Sequence, residues 1–428
     1  MQRDPTRGRQ GLPALATPCR QEYCREEIAP RKRNFRARAE GPTAPSPRLD
    51  QPGATLKVPR ETIRFESRLN ALHRRVMNPE EQGLALVAWR AALGAGAAAY
   101  GLAVRVRNLF YDKGLKRVHK APVPVISVGN ITAGGTGKTP FVAWLVQQLI
   151  SRGLRPAVLS RGYGRDPASG LDDENQMLIG MLDRGVPIIV APDRVSAVRR
   201  AVRADPEGVL VLDDGFQHRR LARDLDIVLV DALQPFGGGR LLPRGLLREP
   251  LSGLARAGLI VITRSDQAPP EGIARIREQL SRHAPGVPVA LAVHRPVGLR
   301  EVGPSGEHAE LQPLSLLREG RWCAFCGIGN PEAFRRSLEN LGAEVEDFTA
   351  FPDHWRYREQ DVDELLAVAR GASCRGIITT EKDAIKVSRL LVTAPPLPLL
   401  ALQVCMDVTE GREGLQQRIA AVTAKADV

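Results

Sequence analysis

A chain of 428 residues, 43% hydrophobic and 25% charged, is long enough for two ordinary domains and excludes a collagenous, low-complexity or wholly disordered protein. The formal net charge of +13 points to an acidic partner: phosphates, nucleic acid or an anionic membrane surface. Six scattered cysteines exclude a disulfide framework and fit a reducing, cytoplasmic compartment.

Residues 1–76 read as a disordered basic tail. The first 70 carry 15 Lys/Arg against 8 Asp/Glu, show no sustained period and lack the apolar core of a secretory signal. Residues 77–120 are expected to form an N-terminal, membrane-associated helix region. Within it, Leu84 to Val106 approaches the ~20 apolar residues of a spanning helix. Arg90 would cost about 2.5–3.5 kcal/mol at a bilayer centre. Trp89, Tyr100, Arg105, Arg107, Lys113, Lys116 and Arg117 suit a helix lying in the interface. An Ala-rich helix packed on the body of the protein fits the same residues.

Next comes a β-branched run, Val123 to Val128, with the length of a buried strand. It breaks into Thr132-Ala133-Gly134-Gly135-Thr136-Gly137-Lys138-Thr139, and Phe141–Ile150 then repeats at helical spacing. Strand, glycine loop, Lys-Thr and helix form the layout that cradles a nucleotide triphosphate. The glycines let backbone N–H groups turn toward phosphate oxygens, and the following helix aims its positive end at the same anion. Lys138 would reach the β- and γ-phosphates and Thr139 would ligate Mg²⁺, so ATP and Mg²⁺ are the expected cofactors. The strict motif has glycine where this chain has Thr132.

Strand and helix patterns then alternate. Strands are expected over 155–160, 186–190, 209–214, 226–231 and 258–263, with a helix over 193–202. This alternation predicts an α/β fold, a P-loop doubly wound mostly parallel sheet over residues 121–285, with its site at the carboxyl ends of the strands. A Pro-rich passage, 268–304, marks a boundary, and residues 286–428 are expected to form a second, smaller α/β domain with a β-linker. Cys323-Ala-Phe-Cys326 has a metal-like spacing, but thiols three apart on a strand face opposite ways, which favours packing over ligation.

Several clusters carry chemistry. Asp213 and Asp214 end an apolar strand, as metal-holding acids downstream of a phosphate loop do. Asp172-Asp173-Glu174, in an expected loop, is by itself a solvated acidic patch. Arg161 sits in a basic turn, and Arg248 in the arginine-rich stretch 240–250, whose guanidinium forks suit phosphate oxygens. His354 stands beside an acid and aromatics and can carry a proton.

Together these stretches resemble the tetraacyldisaccharide 4'-kinase family of lipid A biosynthesis. The resemblance rests on residues 128–140, 159–165, 212–218, 241–250, 327–331 with Phe334, 351–357 and 379–384, colinear from about Met77 onward. That family's loop also lacks the glycine replaced by Thr132. The chain departs locally at Asn175, where the family usually has proline.

The resemblance implies two α/β domains with a β-linker and an N-terminal amphipathic or apolar helix on the cytoplasmic face of the inner membrane. It implies transfer of the ATP γ-phosphate to the 4'-hydroxyl of an acylated glucosamine disaccharide 1-phosphate. Its acid–base pair maps onto Asp173 and His354, beside Lys138, with Glu174 joining Thr139, Asp213 and Asp214 at the metal. The expected partners are that lipid and an anionic membrane surface, without nucleic acid. The alternative is a P-loop regulatory GTPase or metallochaperone-type NTPase. It would need a guanine-reading motif, which Ile262-Thr-Arg-Ser-Asp266 only echoes.

Overall fold

The computed structural model describes residues 83–162, 173–182, 185–304, 310–353 and 355–424; the tail expected over 1–76, the Asp173 side chain and His354 lie outside the described parts. Short runs of Val, Ile and Leu form buried strands: β1 (Val125–Asn130), β2 (Pro156–Ser160), β3 (Ile188–Val190), β4 (Val209–Asp213), β5 (Leu225–Asp231) and β6 (Leu259–Thr263). With the start of β7 (Val289–Glu301) they pair in parallel in the order β3-β2-β4-β1-β5-β6-β7. A parallel sheet needs cover on both faces, so its strands are apolar on both sides. Ile126 and Val128 pack with α2 (Lys138–Ile150), whose Phe141, Val142, Leu145, Val146 and Leu149 are fully buried. Val125 and Leu210 face α4 (Arg194–Ala204), and Val228 and Ile260 face α5 (Pro270–His283).

A second block has the parallel order β11-β10-β8-β9, from β8 (Arg321–Cys326), β9 (Glu344–Ala350), β10 (Gly376–Thr380) and the start of β11 (Leu399–Glu410). Helices α7 (Glu359–Gly371) and α8 (Glu381–Ser388) cover one face, and α6 (Pro331–Asn340) the other. Cys323 and Cys326 belong to opposite faces, and Cys323 Sγ lies 3.3 Å from Cys374 Sγ. The two cysteines therefore do not converge on a metal.

The blocks meet through β7 and β11, the antiparallel pair of the sheet. β6 pairs only with residues 289–291 of β7, and β10 only with 399–402 of β11. Between them runs a two-stranded ribbon, and α9 (Arg412–Thr423) then returns to the first block. β7 runs from the first block toward the second and β11 runs back, so the carboxyl ends of both sets of strands face each other across the ribbon. The Pro-rich passage 268–304 thus holds a helix and the strand that joins the blocks.

Before β1, α1 (Leu84–Asp112) lies against the segment after β5. Gly94, Gly96 and Gly101 leave room for Arg244, Pro243 and Leu241, and the Tyr100 hydroxyl donates to the Arg248 carbonyl at 2.8 Å. Its other face is exposed: Trp89 is 53% and Leu102 62% accessible, and Leu109 is also open. The helix is long and apolar enough to cross a membrane.

Candidate functional site

The loop from Ile131 to Gly137 leaves the central strand β1 and opens directly into α2. Gly134 (φ +116°) and Gly137 (φ +81°) adopt backbone that a side chain would strain, so the two glycines are required by geometry. Gly137 is the N-cap and offers no capping side chain, so the first N–H groups of α2 stay available to an anion. Thr132 instead pairs in an antiparallel bridge with Leu247. Its backbone is extended, which explains why glycine is not needed there. Ala133 N–H donates to Leu246 O at 2.7 Å and Arg248 N–H to Ile131 O at 2.9 Å, stitching the arginine-rich stretch along the loop.

Lys138, 9% exposed, places Nζ 3.7 Å from Asp214 Oδ1. Arg248 Nη1 donates to both Asp214 oxygens, at 2.9 and 2.8 Å. Burial would raise the Asp214 carboxyl, but Lys138 and Arg248 outweigh it and hold it below the usual range. Asp213 differs. It is 5% exposed, its Oδ1 is buried with no hydrogen-bond partner, and burial together with the charges of Glu174 and Asp214 pushes it up to about 7. Thr139 is buried beside Lys138 at the start of α2. Lys138 and Arg248 already offset the Asp214 charge, which leaves the Asp213 oxygen as the acidic atom here without a bonded partner. Among the described residues no three acidic, histidine or cysteine side chains converge on one point, and the oxygen that suits a hard divalent ion such as Mg²⁺ is that of Asp213, with Thr139 buried at the start of α2.

The acidic segment differs from expectation. Asp173 and Glu174 begin a helix, α3 (Asp173–Met181), rather than sitting in a loop. That helix packs against α8 of the second block, and Arg389 donates to Gln176 across the junction. Arg161 is exposed at the end of β2, and its charge reaches Arg194. His354 and the Asp173 carboxylate lie outside the described parts, but both residues flanking His354 are bonded. Asp353 accepts from Lys382 Nζ at 3.0 Å, and Trp355 Nε1 donates to Asp361 at 3.2 Å.

Sequence reasoning missed Arg194 and Glu249. Buried Arg194 donates to the Asp213 carbonyl at 2.7 Å, fixing the end of β4. Glu249, fully buried, accepts from Gln217 at 2.9 Å and Arg256 at 2.7 Å, and Gln217 also donates to Asn130 O at 2.9 Å. His218 is pushed down to about 4 by burial and by Arg194, so it is neutral at physiological pH. Arg219 turns to α1, donating to Asp112 at 2.6 Å. Gln217 and Arg219 thus brace the loop and tie it to α1.

Known proteins resemble this chain in sequence and fold. The family described as tetraacyldisaccharide-1-P 4'-kinase matches residues 89–424. A tetraacyldisaccharide 4'-kinase of Anaeromyxobacter sp. (strain K) is 38% identical over 370 residues, covering 80% of this chain and 96% of that relative. One from Halothermothrix orenii is 41% identical over 312 residues, covering 68% and 81%. The crystal structure of LpxK from Aquifex aeolicus in complex with ATP superposes with a TM-score of 0.62 at 31% identity, covering 78% of this chain and 99% of that one. The chain belongs to the tetraacyldisaccharide-1-P 4'-kinase family and is a kinase of lipid A biosynthesis.

Proposed function

We propose that residues 132–139 bind the phosphates of ATP, that Thr139, Asp213, Asp214 and Glu174 hold Mg²⁺, and that the γ-phosphate passes to the 4'-hydroxyl of an acylated glucosamine disaccharide 1-phosphate. The observation that carries this reading is the buried, unpartnered Asp213 oxygen beside a phosphate loop whose lysine already faces Asp214. Phosphoryl transfer asks chiefly for positioning and charge neutralisation. Lys138 supplies a positive charge for the phosphates, and the open end of α2 supplies N–H donors. Arg248, held by Asp214, keeps a second cation at the same edge and is a candidate for substrate phosphate together with Arg161. When bound, Mg²⁺ would supply charge neutralisation of the phosphate oxygens.

Asp173 is the proposed base for the sugar hydroxyl, assisted by His354. Asp173 opens a helix at the junction with the second block, and strand β9, which precedes His354 in the sequence, ends on that block's carboxyl edge. The acceptor then lies between the blocks, which we take as a P-loop domain over 121–285 and a second domain over 286–428 joined by the β-ribbon. The exposed face of α1, with Arg105, Lys113, Lys116 and Arg117 nearby, suits an anionic membrane surface, here the cytoplasmic face of the inner membrane. The test is incubation with Mg-ATP and the acylated disaccharide 1-phosphate, locating the new phosphate by NMR. A phosphate monoester at the 4' position is expected; transfer to another position, or none, would refute the assignment.

A further inference from the structure

Thr263-Arg-Ser-Asp266, an echo of a base-reading motif, has no role in the assignment above, yet it ends β6 against the phosphate loop. Thr263 is fully buried, and its hydroxyl donates to the Thr136 carbonyl at 2.9 Å. Arg264 takes a left-handed backbone, φ +53°. Its Nη2 donates to the Gly135 carbonyl at 3.0 Å, and its Nη1 donates to the Asp231 carboxylate at the end of β5. Asp231 is held in turn by Leu233 N–H, at 3.1 Å. One residue further along the loop, a Cβ on Gly137 would stand 2.6 Å from His294 Nε2 of β7. Two consecutive loop carbonyls are therefore bonded from outside, at the end of β6, and Gly137 lies close against His294 of β7.

A trans peptide unit points its C=O and the next N–H in opposite directions. Engaging the carbonyls of Gly135 and Thr136 thus sets the directions of the Thr136 and Gly137 N–H groups. Left free, those carbonyls could swing toward the phosphates and repel them. We propose that Thr263 and Arg264, the latter steadied by Asp231, are positioning residues for polyphosphate binding that hold the loop with its donors turned to the anion. The ordering cost is then met during folding rather than on binding. This rests on the nucleotide-site reading and adds to it a brace that touches no substrate.

Calorimetric titration of the full chain with Mg-ATP, with steady-state kinetics alongside, tests it. Arg264→Ala should weaken Mg-ATP binding on the order of tenfold and raise KM for ATP in step, because two charge-assisted bonds are lost. Turnover at saturating ATP and KM for the lipid acceptor should stay within about twofold. Arg264→Lys should recover part of the affinity, since one ammonium does not reproduce the guanidinium fork. Thr263→Val keeps shape without the donor and should cost ATP affinity severalfold; it decides the matter if Arg264→Ala fails to fold. Asp231→Asn should add nothing in the Arg264→Ala background. The proposal is overturned if Thr263→Val and the folded Arg264 variants bind Mg-ATP like wild type while Lys138→Ala does not. It is overturned equally if both KM values move together with falling thermal stability. Wild-type affinity in Lys138→Ala would instead remove the nucleotide-site reading itself.

Discussion

Two buried carboxylates show how the same shift can mean different things at the scale of a residue. Asp213 and Glu381 are both pushed up to about 7, in each case first by burial. Around Asp213 stand the charges of Glu174 and Asp214, and one of its oxygens is buried without a partner, the place where the proposed Mg²⁺ would bind. Glu381 instead accepts from Val404 N–H at 3.4 Å, where the β7–β11 ladder shifts register, and Arg300 lies near enough to favour its charge. It is a structural link at the root of the ribbon. A carboxyl raised in the folded state stabilises fully below its unfolded pKa, and that contribution is lost as pH rises through about 7. Glu381→Gln should therefore match wild type in denaturant melts at pH 4 and exceed it by roughly 2–3 kcal/mol at pH 8.5. A difference independent of pH would show that Glu381 is not buried as an acid. At this scale the places of Lys138 and Thr139 at a helix start and of Asp213 at a strand end were legible, because a glycine loop and an apolar run mark them. Arg194 was not: four arginines share α4, and only the tertiary fold shows which one turns inward to the Asp213 carbonyl.

At the scale of elements, α1 is tied to the site at one side and bare at the other. Tyr100 and Asn108 reach the Arg248–Glu249 segment, while Trp89, Leu102 and Leu109 meet solvent. Leu102→Glu with Leu109→Glu should cut co-sedimentation with anionic vesicles by at least several-fold, since each exchange removes apolar burial and adds repulsion. ATP affinity should not change. Undiminished vesicle binding would argue against this face as the membrane contact. The sequence predicted strands β1 to β6 closely because β-branched runs bounded by Gly, Pro or Asp leave few alternatives. It suggested a break over 268–304, where prolines occupy tolerated places: Pro270 starts α5, and Pro296 sits opposite the register shift in the ribbon. Strand β11 carried no usable signal, because its role depends on pairing with a strand more than a hundred residues earlier.

At the scale of the whole molecule, the antiparallel ribbon turns the carboxyl ends of two parallel sheets toward one cleft, with α3 and α8 in contact beside it. Local pattern predicted each sheet, but their mutual direction follows only from the β7–β11 pairing. If Asp173 and His354 act as one acid–base pair across this cleft, Asp173→Asn should lower kcat by roughly 10²–10⁴. His354→Ala should cost less, and the double variant should be little worse than Asp173→Asn. Losses that multiply would show independent action. The central claim remains that the loop after β1 holds the phosphoryl donor. The most direct measurement is the initial rate of γ-phosphate transfer from labelled ATP to the acylated disaccharide 1-phosphate, for wild type and for Lys138→Ala of matched circular dichroism. The account requires labelled lipid from wild type and a loss of at least about 10³-fold in the variant; near-normal transfer by a folded Lys138→Ala protein would contradict it.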